Sequence, residues 1–310
     1  MKKRIVLALG GNALGKGLAE QMQAVHTTAS ALADLIQEGH ELVITHGNGP
    51  QVGMIHQAFE AASATPAHSP VLPMSVCVAL SQGYIGYDLQ NALRETLRAR
   101  GINKTVTSLI TQVRVDPRDP AFNNPDKPIG SFLSPETAQR LSQEGVNVRE
   151  EAGRGWRRVV ASPMPQEIIE IESIKALLAA GQIPVTVGGG GIPVVADGNQ
   201  LHGASAVIDK DRASAVLAQA LDADMLIILT AVEKVAIGYN TPYQKWLDRM
   251  SPKEARDYIE AGEFAPGSML PKVEAALAFA ESRPGRQALI TLLEHAADGI
   301  AGRTGTVISQ

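Results

Sequence analysis

Short runs of apolar and β-branched residues alternate along the chain with longer amphipathic stretches, and this alternation predicts strand–helix units. Residues 3–9 and 42–45 read as buried strands. Between them, residues 19–38 place Met22, Val25, Ala29, Leu32 and Ile36 on one helical face, and Gly39 ends the helix. Helices are expected at 51–62 and at 76–100, the second stopped by Gly101, followed by a β-branched strand at 105–113. The pattern then changes. Residues 116–128, DPRDPAFNNPDKP, are too dense in Pro, Asp and Asn for a helix. From there to residue 165 only short pieces follow: a small helix near 135–143, turns at Gly145 and Gly153, and a strand at 157–161. The segment 116–165 is therefore expected to be an excursion, or lid, standing off the main sheet. Helix–strand order resumes with a helix at 166–180 and a strand at 183–187. Strands at 193–196 and 200–202 flank Asp197-Gly198-Asn199 as a hairpin. A helix at 211–221, a strand at 225–229, helices at 252–261 and 271–282 with proline in the first turn, and strands at 288–293 and 306–308 complete the chain. Repeated β–α alternation implies an α/β fold with a mainly parallel sheet covered on both faces.

Composition narrows the function. The 310 residues are 45% hydrophobic, enough for a large core in one or two domains. A net charge of -4 and a pI near 6.0 argue against a nucleic-acid or anionic-membrane surface. The basic start, Met1 to Arg4, lacks a following apolar run long enough for a signal peptide, and no stretch reaches the length of a membrane span. Cys77 is the single cysteine, so there is no internal disulfide or cysteine metal site; its apolar surroundings predict a buried thiol. The seven histidines show no metal-ligand spacing. A soluble cytoplasmic protein with no nucleic-acid or membrane partner is expected.

The chemistry gathers at the glycines. In LVITHGNGPQVG, residues 42–53, a strand runs into His46-Gly47-Asn48-Gly49-Pro50 and then a helix. Such a loop collects bare backbone N–H groups at the positive end of the helix dipole, which suits a phosphate. Two further strands end alike, at Gly10-Gly11-Asn12-Ala13 and at Gly188 to Gly191. In one parallel sheet these three loops would share an edge, where open α/β sheets bind ligands. GGNALGKG at 10–17 is nearly a P-loop, but Gly17 replaces the Ser or Thr that would bind magnesium; GNGPQVG misses the dinucleotide fingerprint by one residue. The tetraglycine could also be only a flexible turn. Lys210 lies between Asp209 and Asp211, Lys272 at a loop-to-helix junction, and Lys127 between prolines. Each could be an ordinary solvated lysine. Together with glycine loops they suit phosphoryl transfer, which is mostly positioning and neutralisation of spread negative charge.

Beyond these local signals, ALGGNAL, THGNGPQVG, LSQGYIGYDLQNAL, NPDKPIG, EAGRGWRRVVASP, VGGGGIPV, AVIDKDRAS and GSMLPKVEAA resemble, in order and spacing, the carbamate kinases of the amino acid kinase superfamily over the whole chain. The resemblance implies one domain, residues 1–310, built as a three-layer αβα sandwich around a mainly parallel, roughly eight-stranded sheet, with 116–165 as its lid and usually a homodimeric assembly. It implies the reversible reaction of ATP and carbamate to ADP and carbamoyl phosphate with Mg2+, running toward ATP in catabolism such as arginine metabolism. Gly10, Gly11, Asn12, Gly47, Asn48 and Gly49 would hold the carbamate end. Lys127, Lys210, Lys272 and Asp211 would be catalytic. Gly188, Gly189, Lys210, Asp211, Thr230, Val232, Val235, Gly267, Ser268, Met269 and Lys272 would bind nucleotide, with no protein metal ligand assigned. The chain departs from the family pattern at Met54, Ala161, Ala231, Ala236 and Leu270. Two other readings compete: a kinase of the same fold for another small carboxylate or carbamate analogue, and a non-catalytic regulator that binds nucleotide or carbamoyl phosphate.

Overall fold

The structure, a computed structural model, describes residues 2–10, 14, 18–65, 69–151 and 155–310. In chain order the elements are β1 (Arg4–Leu9), α1 (Leu18–Gln37), β2 (Glu41–His46), α2 (Gly49–Ser63), α3 (Met74–Ala99), β3 (Val106–Ser108), β4 (Gln112–Val115), β5 (Lys127–Leu133), α4 (Pro135–Gln143), β6 (Val148–Glu151), β7 (Gly155–Val160), β8 (Pro165–Ile168) and α5 (Ile171–Ala179). There follow β9 (Ile183–Val185), β10 (Ile192–Asp197), β11 (Gln200–Gly203), α6 (Lys210–Ala220), β12 (Met225–Thr230), β13 (Val235–Ile237), β14 (Lys245–Leu247), β15 (Arg249–Met250), α7 (Pro252–Glu260), α8 (Met269–Glu281), β16 (Gln287–Leu292), α9 (Ala296–Ile300) and β17 (Thr306–Ser309).

An eight-stranded sheet in the order β15-β17-β16-β12-β1-β2-β9-β3 forms the centre, and every neighbouring pair but β16–β17 is parallel. Side chains on a strand alternate between faces, so β1 feeds two cores. Ile5, Leu7 and Leu9 pack with Val25 and Leu32 of α1 and Leu89 and Leu93 of α3. Val6 and Ala8 pack with Ile174 of α5, Leu217 of α6 and Phe279 of α8. Helices thus cover both faces, the three-layer αβα arrangement of the amino acid kinase fold expected from the motifs. Cys77 is fully buried, and burial pushes its thiol pKa up.

Two sequence expectations fail. Residues 105–113 are not one strand: β3 pairs with β9 in the central sheet, whereas β4 joins a second sheet, β11-β10-β4-β8. The bend at 109–111 is held by Gln82, whose amide accepts from the Thr111 N–H at 2.9 Å. The helix expected at 166–180 starts only at Ile171, because residues 165–168 pair with β4 as β8. Tertiary pairing overrides local periodicity in both places. The stretch 116–128 contains a single 3-10 turn, Pro120–Phe122, and its last two residues open β5.

Within 127–160 the chain makes its own antiparallel sheet, β5-β7-β6, with α4 beside it. This sheet touches the rest at α2. A Cβ on Gly53 of α2 would lie 2.1 Å from the Gly130 Cα, so the two backbones meet with no room for a side chain. Arg158 of β7 reinforces the contact, reaching Glu60 at 3.1 Å and His56 Nδ1 at 3.2 Å, both on α2.

Candidate active site

Adjacent strands β1, β2 and β9 are followed, on one side of the central sheet, by Gly10, by Gly47 and by Gly188 to Gly191. A cavity of about 560 Å3 opens there. Its walls carry the first residues of three helices: Gly49 to Gln51 of α2, Lys210 and Asp211 of α6, and Pro271 and Lys272 of α8. Helix N-termini present free N–H groups and a partial positive charge, so the cavity suits an anion before any side chain is considered.

The tetraglycine is a packed turn rather than a flexible one. Gly189, Gly190 and Gly191 have φ of +65°, +88° and +88°, and a Cβ on Gly189 would fall 2.1 Å from the Asn48 side chain. Val187 just before them is also left-handed, at φ +51°, which for a buried β-branched residue is strained backbone. Helix α3 supports the turn. Gln82 donates to the Gly188 and Thr111 carbonyls, each at 3.0 Å, and Ser81 accepts from Asn48 at 2.8 Å. The Ser81-Gln82 pair, which sits in one of the family-like motifs, therefore aligns two of the glycine turns.

The charged groups form a chain of alternating sign. Asp211, fully buried at the start of α6, accepts from Lys210 on one oxygen and from Lys272 on the other, the latter at 2.7 Å. Asp209 caps α6, accepting from the Asp211 N–H at 2.9 Å, and takes Lys127 of β5 on its second oxygen at 2.5 Å. The aliphatic part of Lys210 lies over Gly47, 3.3 Å from where a Cβ would stand. Thus Lys127, Lys210 and Lys272, far apart in sequence, line one cavity with Gly10 and Gly47. Burial alone would raise the pKa values of both aspartates. The lysines outweigh it and hold both carboxyls well below the usual range: Lys127 first for Asp209, Lys210 and Lys272 for Asp211. Burial wins at Lys210 and lowers its ammonium, while attraction to Asp211 wins over burial at Lys272 and raises it.

Of the expected site residues, Gly10, Gly47, Asn48, Gly49, Lys127, Gly189, Lys210, Asp211, Thr230, Gly267, Ser268 and Lys272 line the cavity. Gly11 and Asn12 lie outside the described residues. Gly188, Val232, Val235 and Met269 are not on its wall. Gly188 packs against the His46 ring, and Val235 is buried in the β13–β14 hairpin, where its N–H donates to Thr306 Oγ1 at 2.8 Å. Among the polar lining residues, Asp209, Gln51, Arg157 and Glu294 were given no role from the sequence. The signal for Asp209 was present, since an Asp before a helix start is a cap. Arg157 of β7 lies in the family-like stretch EAGRGWRRVVASP, but its place at the cavity depends on the β5–β7 pairing; it donates to the Gly130 carbonyl at 2.8 Å and to Glu151 at 3.1 Å.

Residues 3–291 match the amino acid kinase family. The chain belongs to that family. This amino acid kinase is 67% identical to the carbamate kinase-like protein YqeA of Escherichia coli (strain K12), over 100% of both chains. It is 51% identical to the carbamate kinase of Clostridium perfringens, over 98% of this chain and 99% of that one. Among solved structures, the carbamate kinase from Giardia lamblia bound to AMP-PNP superposes with a TM-score of 0.90 at 39% identity, covering 99% of this chain and 98% of that one. As a member of the family this chain is a kinase, a phosphotransferase.

Proposed function

We propose that this protein is a carbamate kinase, catalysing ATP + carbamate = ADP + carbamoyl phosphate. The observation that carries the reading is the convergence of Lys127, Lys210 and Lys272, ordered by Asp209 and Asp211, on glycine turns and three helix starts in one cavity. Full-length relatives that bear the carbamate kinase name support it. A carbamate oxygen attacks the γ-phosphorus of ATP while the bond to the bridging oxygen breaks and ADP leaves. Carbamate is already an anion, so no general base is needed. The catalytic problem is repulsion between two anions, and preorganised ammonium and N–H groups reduce it. Lys210 and Lys272 flank the transferred phosphoryl group, with Asp211 fixing their spacing. Lys127 serves the acyl-phosphate end from the β5-β7-β6 unit, and 116–165 acts as a lid. Gly10, Gly47, Asn48 and Gly49 hold the carbamate group; Thr230, Gly267 and Ser268 lie on the nucleotide side.

The cavity does not fit a resident metal. Among the described residues no group of three or more His, Cys, Asp or Glu could hold an ion, and Asp209 and Asp211 are already engaged by lysines. Mg2+ therefore enters as part of the nucleotide substrate, held by its phosphate oxygens. A homodimer in the cytoplasm, working toward ATP in arginine catabolism, completes the proposal; no described helix is long and apolar enough to cross a membrane.

A coupled assay of ATP formation from ADP and carbamoyl phosphate tests the activity. A second reading, a kinase for another small carboxylate, draws on the small Ala231 in the cavity wall. Turnover with other acyl phosphates but not carbamoyl phosphate would favour it. Saturable binding without turnover would indicate a regulator.

A further inference from the structure

Helix α6 carries Lys210 and Asp211 in its first turn, and its apolar face packs with Val43 of β2 and Ala8 of β1 in one core. Toward the cavity end of β2 the next inward residue is not apolar. Thr45 of β2 and Ser214 of α6, both fully buried, meet there with their hydroxyl oxygens 2.7 Å apart. The direction of the bond is fixed. Ser214 Oγ donates to the Lys210 carbonyl, four residues back, at 2.6 Å. A hydroxyl has one proton to give, so Thr45 must be the donor to Ser214. The relay runs from the end of β2, through Ser214, to the backbone of the lysine. Among the described residues it is the sole hydrogen-bonded link between β2 and α6.

This link joins two parts of the site. Thr45 lies two residues before Gly47, and the aliphatic part of Lys210 rests over Gly47, 3.3 Å from where a Cβ would stand. Stability alone does not call for hydroxyls here, because replacing both partners of a buried hydrogen bond by apolar groups of the same shape is nearly neutral. Hydroxyls add direction. Apolar packing is non-directional and lets a helix slide along a strand, whereas a hydrogen bond fixes distance and angle. We propose that Thr45 and Ser214 are positioning residues that set where the Lys210 ammonium stands over the Gly47 turn. The inference rests on the role of Lys210 at the transferred phosphoryl group in the carbamate kinase reading, and adds to it the two residues that place that lysine. A slip of α6 along β2 would carry Lys210 and Asp211 together away from the glycine turn, and misplacement of this kind reduces rate.

The test measures kcat and both KM values for ATP formation from ADP and carbamoyl phosphate. Thr45→Val keeps shape and removes the donor. It should lower kcat about 10-fold and leave both KM values within about twofold, the pattern of a contact that matters in the transition state. Thr45→Ser, which restores the hydroxyl, should recover most of the loss. In a Lys210→Ala background Thr45→Val should change kcat less than twofold, because the group it places is gone. The pair Thr45→Val/Ser214→Ala removes both partners, so it should melt within about 3 °C of the parent yet remain slow. If Thr45→Val alone does not fold, this pair decides by the same criteria. A folded variant with kcat unchanged within twofold overturns the inference and leaves the carbamate kinase reading standing. So does an undiminished effect of Thr45→Val in the Lys210→Ala background. No ATP from carbamoyl phosphate with the unaltered protein overturns the reading and the inference together.

Discussion

Lys210 and Lys272 share Asp211, one on each oxygen. Removing either ammonium takes a preorganised charge from the transferred group, so Lys210→Ala and Lys272→Ala should each lower kcat about 10²–10³-fold. Each also leaves Asp211 buried with one partner fewer, so kcat must be referred to folded protein; undiminished turnover in either variant would remove that lysine from the mechanism. His46 allows a prediction about pH. Burial pushes its imidazole down from 6.5 to about 4, outweighing the hydrogen bond to the Gly47 carbonyl. Between those values the unfolded chain binds a proton that the native protein refuses, so stability falls as pH drops through that window. The His46 share of the loss from pH 7 to pH 5 should be about 2 kcal/mol in urea unfolding, and His46→Asn should remove that share, leaving the smaller part due to His56, which burial also lowers. A slope unchanged by the substitution would contradict the burial argument. Asp209 and Asp211, with depressed values, act in a separate window: their contribution is present above the ordinary carboxylate range and is lost only below it. The lysines could be read in the sequence because each sits in a motif beside turn or cap residues. Gln51 and Arg157 were opaque because their meaning lies in partners 30 and 27 residues away.

At the scale of elements, hydrophobic periodicity located most strands and helices to within a few residues, including α4 at Pro135–Gln143. It failed where a strand changes sheet: 105–113 carries an uninterrupted β signal, yet the Gln82 amide captures Thr111 and sends β4 elsewhere. It also could not show that α2 and β5 touch through glycines. Gly53→Ala would force the Gly130 backbone away, since a Cβ there stands 2.1 Å from the Gly130 Cα and 2.2 Å from its nitrogen. Overpacking of this kind costs about 1–3 kcal/mol. Because Gly130 lies three residues from Lys127, Gly53→Ala should also raise KM for carbamoyl phosphate more than KM for ADP. Gly83 in the middle of α3 is the control. It is exposed, a Cβ there meets nothing within 4 Å, and Gly83→Ala should stabilise by about 0.4–1 kcal/mol through the unfolded chain alone. Thermal melts of the two variants check the contrast; a Gly53→Ala protein as stable as the parent would mean the contact is loose.

Over the whole molecule, the fold class and the sheet edge where the cavity opens were visible from three glycine-ended strands, because a parallel sheet leaves them little freedom in where they gather. How the excursion engages that edge was not visible, because it depends on one long-range ion pair. Lys127 of β5 meets Asp209, 82 residues on, at the start of α6. This bond ties the antiparallel β5-β7-β6 sheet to the central domain beside the cavity, while Arg158 and the Gly53–Gly130 contact tie it to α2. If residues 116–165 form a lid, the ion pair is the link nearest the substrate, and an incoming acyl phosphate competes with Asp209 for the same ammonium. Asp209→Asn isolates the effect, because asparagine still caps α6 while losing the charge that holds Lys127. A charge-assisted hydrogen bond is worth about 1.5–3 kcal/mol, so amide exchange in 127–160 should quicken about 10- to 100-fold. Exchange in β1, β2 and β12 should not change. Saturating carbamoyl phosphate should then slow exchange in the lid again by offering Lys127 a replacement anion. Quickening spread evenly over the central sheet would show that Asp209 stabilises the molecule as a whole, and no quickening in 127–160 would show that the α2 contacts alone hold the lid.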